Sequence, residues 1–302
     1  MAEKRYIVIL GAGESGVGAA LLAQKEGYAV FVSDFGPIAD HYKKDLEDAA
    51  ISFEENGHSE ERILIASEVV KSPGIPDKAP IIKKLIENNI PILSEIEFAG
   101  RYSKAKMICI TGSNGKTTTT MLTYHILKNA GLNIGLAGNI GKSFARQVAF
   151  QNFDYYVLEI SSFMLDNMYD FKADIAVLLN ITPDHLDRYD YKMENYADSK
   201  FRIIQNQKQG DVFIYCADDE ETQKGLLKHP INVNAVPFSI EKILDHGAYL
   251  QDDQINITLH HKNQESFTMS IKDLALQGKH NIYNSMASGI VAKVLELRNE
   301  TI

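Results

Sequence analysis

Two rhythms of apolar and polar positions alternate along this 302-residue chain, and the switching between them predicts its fold. Short runs rich in apolar residues, at 5–10, 29–33 and 68–71, are separated by stretches whose apolar residues recur at helical spacing, as over 15–26 and before Ile51. Compact apolar runs flanked by amphipathic helices are the signature of parallel strands buried on both faces. A short strand over 91–94 ends the first series, and a charged segment over 94–106 leads to a fresh strand at Met107. The change places a domain boundary at residues 93/94. Alternation then resumes with wider spacing through strands at 133–137, 155–159, 175–179 and 211–215. Toward 245–270 the texture becomes strictly alternating, as in Gln254-Ile255-Asn256-Ile257-Thr258-Leu259 between Asp252-Asp253 and residues 261–263, which predicts antiparallel hairpin strands. A helix over 281–297 closes the series.

Composition narrows the partners. At 45% apolar residues the chain can bury a sizeable core, and its length suits two domains. The formal charge of −9 has no compensating basic block, which argues against a nucleic acid or a membrane surface as partner and leaves small molecules held by local sites. No oligomeric state is implied. Cys109 and Cys216 fall in or at the end of apolar strands and read as reduced core thiols. The start, Met1-Ala2-Glu3-Lys4-Arg5, leads straight into a strand too short for a signal peptide, and no segment approaches the roughly 20 apolar residues that span a bilayer. A cytoplasmic location fits both.

The densest chemical signal is Ile110-Thr111-Gly112-Ser113-Asn114-Gly115-Lys116-Thr117-Thr118, which follows a strand and opens a helix. Glycines at 112 and 115 let backbone N–H groups turn toward phosphate oxygens, Lys116 adds a point charge, and Thr117 offers a hydroxyl to Mg²⁺. The full P-loop spacing would put a glycine at Ile110, so this is a shortened variant. A second glycine motif, Gly11-Ala12-Gly13-Glu14-Ser15-Gly16, also joins a strand to a helix, and Asp34 ends the next strand where a ribose-binding acid is expected. Alone it suggests an NAD-dependent oxidoreductase. Two phosphate loops in one chain favour a nucleoside triphosphate in one domain and a phosphorylated substrate in the other. The expected class is therefore α/β, with a Rossmann-like parallel-sheet domain over residues 1–93 and a P-loop NTPase-like central α/β domain over 94–302 that includes some antiparallel strands.

Further polar groups follow the central strands: Gly138-Asn139-Ile140-Gly141, then Glu159 before Ile160-Ser161-Ser162-Phe163, then Asn180-Ile181-Thr182-Pro183-Asp184-His185-Leu186-Asp187-Arg188-Tyr189. The C-terminal edge of an open α/β sheet is where ligands bind, and a carboxylate there suits Mg²⁺. A solvated strand-end Glu, a turn His bonded to Asp184 or Asp187, and a surface Lys200 are the plainer readings of the same residues.

Together with Ser72-Pro73-Gly74-Ile75-Pro76, Lys200 and Gly278-Lys279-His280-Asn281, these segments make the whole chain resemble the Mur ligases, the ATP-dependent amide-forming ligases of peptidoglycan precursor assembly. The Ser-Ser-Phe and Ser-Pro-Gly-Ile-Pro segments look like the branch that adds D-glutamate to UDP-N-acetylmuramoyl-L-alanine, more than like its sister ligases or the folylpolyglutamate synthases. The resemblance implies ATP held by Gly112, Ser113, Asn114, Gly115, Lys116, Thr117 and Thr118, with Asn281 near the adenine. It implies two Mg²⁺ ions served by Thr117, Glu159, His185 and a carbamylated Lys200, and catalytic roles for Lys116, His185 and Lys200. It assigns Gly13, Glu14, Ser15, Gly16, Asp34 and Gly74 to the UDP moiety, Asn139 to the substrate's acyl end, and Ser161 to substrate binding. Members of the family have a third, amino-acid-binding domain, expected just beyond the last helix. A chain ending at Ile302 is thus expected to be a two-domain portion, binding the UDP substrate but inactive alone in ligation, with a non-catalytic nucleotide-binding module as the alternative.

Overall fold

The computed structural model describes residues 5–259, 266–274 and 277–302. Residues 261–263, at the edge of the predicted hairpin, and the first four residues lie outside the described residues. Contacts divide the chain into two compact units: 1–104 with 141–152 and 163–171, and 105–140 with 153–162 and 172–302. The helices, in chain order, are α1 (Glu14–Lys25), α2 (Asp40–Asp48), α3 (Glu60–Ile63), α4 (Pro80–Glu87), α5 (Glu95–Gly100), α6 (Lys116–Asn129), α7 (Phe144–Phe150), α8 (Ser162–Asp166), α9 (Met193–Phe201), α10 (Glu220–Lys228) and α11 (Lys279–Val294).

In the first unit, strands β1 (Tyr6–Leu10), β2 (Ala29–Ser33), β3 (Ser52–Glu54), β4 (Glu68–Lys71) and β5 (Ile92–Leu93) form a sheet in the order β3-β2-β1-β4-β5. All its pairings are parallel. Ile7, Val8, Ile9 and Leu10 of the central strand have no exposed surface, as a strand covered on both faces requires. The chain runs outward from β1 to β3 and then crosses back to β4, so the strand order reverses beside β1. The crevice at such a switch point is where open sheets hold ligands, and the Gly11–Gly16 turn emerges there.

The charged stretch after β5, expected as a connector, is α5. Ser94 caps it by accepting from the Glu97 N–H (3.1 Å), the serine half of a capping box, while the Ser94 N–H donates to the Asn167 carbonyl instead of to Glu97. Its carboxylates turn inward because backbone donors await them: Glu97 accepts from Tyr169 N and Phe171 N (2.9 Å each) and from Asp170 N (3.2 Å). Glu95 accepts from Ala145 N (2.9 Å) and the Ser143 hydroxyl. Helix α7 packs on α1 and α5 in this unit, and a Cβ on Gly18 would stand 1.9 Å from Ser143 Oγ, so only glycine permits the crossing.

The second unit holds β6 (Lys106–Thr111), β7 (Ile134–Gly138), β8 (Tyr155–Glu159), β9 (Ile175–Leu178), β10 (Val212–Cys216), β11 (Asn234–Ser239), β12 (Gly247–Gln251), β13 (Gln254–Thr258) and β14 (Phe267–Ser270). Their order is β14-β13-β12-β11-β10-β9-β6-β8-β7, parallel from β7 to β12 and antiparallel at β13 and β14. The predicted hairpin is β12–β13, turned by Asp252 and Asp253 with φ of +48° and +58°, the two positive values of a tight two-residue hairpin turn. Helix α11 stops at Val294, short of the expected 297, and Glu296 follows with φ +58°. Cys109 and Cys216 are free and buried; burial lifts the Cys109 thiol well above its ordinary value and Cys216 to about 12, so both are neutral core groups. Among the described residues, no helix is long and apolar enough to cross a membrane.

Candidate active site

Strand β6 lies between β8 and β9, where the second sheet reverses its order, and the residues that follow these three strands share one sheet edge. The loop after β6 must tighten within four residues to start α6. Gly115 makes this possible: its φ of +82° is left-handed, and a Cβ there would meet Asn284 Oδ1 at 2.6 Å. Gly115 caps α6 without a side-chain hydrogen bond, and no acidic residue sits in the first turn. The helix thus presents its N–H groups and partial positive charge without an internal anion. Thr118 lies in that same turn.

Lys116 folds over this loop, its Nζ donating to the carbonyls of Gly112 (2.9 Å) and Ser113 (2.8 Å). Burial pushes the Lys116 pKa down, against the opposing charges of Glu159 and Asp184. Lys200, almost wholly buried on α9, donates to the same Gly112 carbonyl at 2.8 Å and lies 4.6 Å from the centre of the Tyr196 ring. It is not the surface lysine that composition suggests. Glu159 is 1% exposed, with Thr117 Oγ1 donating to Oε2 and Asn139 Nδ2 to Oε1, both at 2.8 Å. Asn139 reaches it because Gly138, at φ +99°, brings β7 so close that a Cβ would stand 2.2 Å from the Glu159 carbonyl oxygen. The Glu159 carboxyl and the Thr117 hydroxyl together form a hard oxygen set of the type Mg²⁺ takes.

The remaining predicted residues are placed by other contacts. His185 is more than half exposed in a left-handed backbone conformation (φ +49°), its Nε2 3.6 Å from Asp184 Oδ1. Among the described residues no group of three His, Cys, Asp or Glu side chains is placed to hold a metal. Asn281, at the start of α11, donates to the Gln277 carbonyl and accepts from Asn284 (3.2 Å); His280, Tyr283 and Asn284 line an adjoining cleft of about 480 Å³ with Asn114, Gly115 and Asp218. Ser161 lies between β8 and α8.

Asn180 and Thr182, in the polar run after β9, take on tasks that the sequence alone does not assign. Asn180 Oδ1 accepts from Asn114 N (2.8 Å) while its Nδ2 donates to Asn114 O (3.1 Å). Ser113 Oγ donates to Thr182 O (2.8 Å) and accepts from Thr182 N (2.9 Å). These reciprocal pairs pin the phosphate loop. An amide two residues past a strand end was the only available signal.

In the first unit, Gly13, Ser15, Asp34 and Gly74 line a cleft of about 880 Å³ with Phe35, His58 and Ser72 to Pro76. Asp34 ties the glycine loop to the next turn, accepting from Ala12 N (2.6 Å) and Gly36 N (2.9 Å). Gly16 serves packing, since a Cβ there would stand 1.8 Å from the Gly11 carbonyl oxygen. Glu14 turns toward α7, accepting from Ser143 N at 3.0 Å, and does not line the cleft.

Comparison with known proteins agrees with this layout. The Mur ligase middle domain matches residues 110–292, and the MurD N-terminal domain matches residues 6–81. The chain is 58% identical over 298 residues to UDP-N-acetylmuramoylalanine–D-glutamate ligase of Bacteroides fragilis, covering 99% of this chain and 66% of that protein. It is 37% identical over 302 residues to the enzyme of the same name from Salinibacter ruber, covering 97% and 65%. This chain thus spans slightly less than two thirds of these relatives. Among solved structures, UDP-N-acetylmuramate:L-alanyl-gamma-D-glutamyl-meso-diaminopimelate ligase from Neisseria meningitides superposes with a TM-score of 0.67 at 19% identity, covering 99% of this chain and 96% of that one. UDP-N-acetylmuramate-alanine ligase from Thermotoga maritima gives 0.59 at 19% identity, covering 99% and 67%; both are likenesses of fold. With the middle-domain match running over more than half of its length, the chain belongs to the Mur ligase family.

Proposed function

We propose that this chain carries the ATP and UDP-substrate sites of an ATP-dependent ligase that joins D-glutamate to UDP-N-acetylmuramoyl-L-alanine through an acyl phosphate, in the cytoplasm. The observation that carries the reading is the meeting of Lys116 and Lys200 at the Gly112 carbonyl, beside the Thr117–Glu159–Asn139 chain. The names of the relatives that share over half of its residues support the substrate assignment.

On this reading residues 94–302 serve ATP and residues 1–93 the UDP group. The backbone of Gly112 to Thr118 and the Lys116 ammonium hold the phosphates, and Asn281 lies toward the adenine. Thr117 and Glu159 would hold one Mg²⁺; His185 and a carbamylated Lys200 would join a second. Bound Mg²⁺ supplies charge neutralisation as the substrate carboxylate approaches the γ-phosphate. Carbamylation would replace the buried Lys200 ammonium by an anionic oxygen ligand suited to a divalent ion. The carboxylate oxygen bonds to the γ-phosphorus as the bond to ADP breaks. The amine of D-glutamate then attacks the acyl carbon, and phosphate leaves. Asn139 stands for the acyl end, Ser161 for substrate binding, and Gly13, Glu14, Ser15, Gly16, Asp34 and Gly74 for the UDP end, Glu14 and Gly16 through packing.

Titration of the chain with ATP, with and without Mg²⁺, tests the site. Binding is expected to need Mg²⁺ and to weaken roughly 10- to 100-fold in Lys116→Ala; ¹³C-bicarbonate should give a carbamate resonance lost in Lys200→Ala. ATP binding indifferent to Mg²⁺ and to Lys116→Ala would overturn the reading.

A further inference from the structure

The first unit's cleft contains a side-chain relay whose proton positions follow from counting. Ser33 Oγ lies 2.6 Å from Glu54 Oε1 and 2.6 Å from His58 Nδ1. A hydroxyl has one proton to give. Burial raises the Glu54 pKa, but hydrogen bonds from Ser33 and Ser59 and the charge of Arg62 hold it below the usual carboxylate range, so Glu54 is ionised and can only accept. Ser33 therefore donates to Glu54 and must accept from His58, which fixes the proton on Nδ1. Burial also pushes the His58 pKa below its ordinary value, against Glu54 and Asp34, so near neutral pH the ring is uncharged and its Nε2 is a bare acceptor. Among the described residues Nε2 has no hydrogen-bond partner, and the ring lines the cleft.

Beside it stands Phe35, 76% exposed, with ring centres 5.7 Å apart. An apolar wall from Pro73 to Ile81 shares the cleft, and Gly11, Gly13 and Ser15 line it at the glycine turn. Asp34 and Glu60 also line it, but Asp34 is engaged by two backbone N–H groups and Glu60 by Lys84. A flat aromatic face with a neighbouring acceptor suits a planar base that carries an N–H, with its diphosphate toward the glycines.

Resting on the reading of this unit as a nucleoside-diphosphate site, we propose that His58 is a specificity-determining residue: its Nε2 accepts the imide N–H of uracil lying against Phe35. Cytosine presents a lone pair at that ring position and would face the Nε2 lone pair. Ser33 and Glu54 are positioning residues that keep the tautomer.

The test is calorimetric titration of the chain with UDP, CDP and N3-methyl-UDP, beside ¹⁵N NMR of the histidine rings. UDP should bind at least about tenfold more tightly than either analogue, and the gap should shrink to about twofold in His58→Phe. In the unliganded wild type the His58 Nε2 resonance should be that of an unprotonated nitrogen and should move on UDP addition. This readout decides the matter even where His58→Phe folds poorly. Equal binding of UDP and CDP, an unchanged gap in a folded His58→Phe, or a protonated Nε2 overturns the role of His58 while leaving the nucleotide site standing. Failure of all three nucleotides to bind overturns both.

Discussion

Glu95 should make the stability of the chain fall as pH rises. The carboxyl is 2% exposed; one oxygen accepts from Ser143 and Ala145, and among the described residues Oε2 has no partner. Burial, aided by the nearby charge of Glu14, lifts its pKa from 4.5 to about 7 despite those hydrogen bonds. The folded state therefore holds the proton more tightly than the unfolded chain, and the stability this confers is fully present below pH 4.5 and lost as pH rises through about 7. At about 1.4 kcal/mol for each pH unit, the loss amounts to about 3 kcal/mol. Replacing Glu95 by Gln removes the titration. It also puts an NH₂ where Oε2 lies, at a cost independent of pH, so the informative quantity is the difference in unfolding free energy between pH 5 and pH 8, from urea melts, in each protein. That difference should be about 2.5 kcal/mol less favourable to high pH in the wild type than in Glu95→Gln, since pH 5 already lies above the unfolded pKa. Equal pH dependence in the two proteins would refute the argument, because the cost of the amide does not vary with pH.

Glu97→Ala strips the acceptor from the N–H groups of Tyr169, Asp170 and Phe171, and thermal or urea unfolding should report a loss of about 3 kcal/mol or more. Gly115→Ala forces a Cβ toward Asn284 at a left-handed position; about 1–3 kcal/mol of stability should go, and Mg²⁺–ATP binding by calorimetry should weaken with it. Asn180→Ala should leave stability within about 1.5 kcal/mol of wild type but speed amide hydrogen exchange at Asn114, whose N–H loses its acceptor.

Much of the fold could be read from periodicity, for a physical reason. Strands such as β1 and β9 are covered on both faces and so are apolar throughout, which marks them in any sequence. Strand β3 spans three residues and β11 carries Pro237, so neither leaves such a mark. The stretch 94–106 misled because charge normally marks a surface. Glu95 and Glu97 are buried by backbone donors that lie tens of residues further along the chain, and no local pattern contains them. The cleft residues His58 and Phe35 were unreadable for the same reason: a histidine's partner and tautomer depend on Ser33 and Glu54, which only the folded sheet brings beside it.

The candidate site divides along the same line. Sheet register alone fixes part of it: Ile110 pairs with Glu159 and Thr111 with Leu178, so a carboxylate and the Asn180 turn flank the phosphate loop wherever this sheet forms. A slip of one residue between β6 and β8 would send Glu159 to the opposite face and abolish its bond with Thr117. Lys200 and His185 depend instead on the connection after β9. Burial on α9 holds Lys200 against the loop, whereas His185 sits on an exposed turn with no strand behind it. Groups carried on strands and buried helices keep their geometry better than groups on loops. If the two Mg²⁺ positions exist as proposed, the one at Thr117 and Glu159 is the more preorganised and should fill at lower metal concentration than the one that needs His185, a sequence that two-step titration with Mn²⁺ in the presence of ATP would resolve.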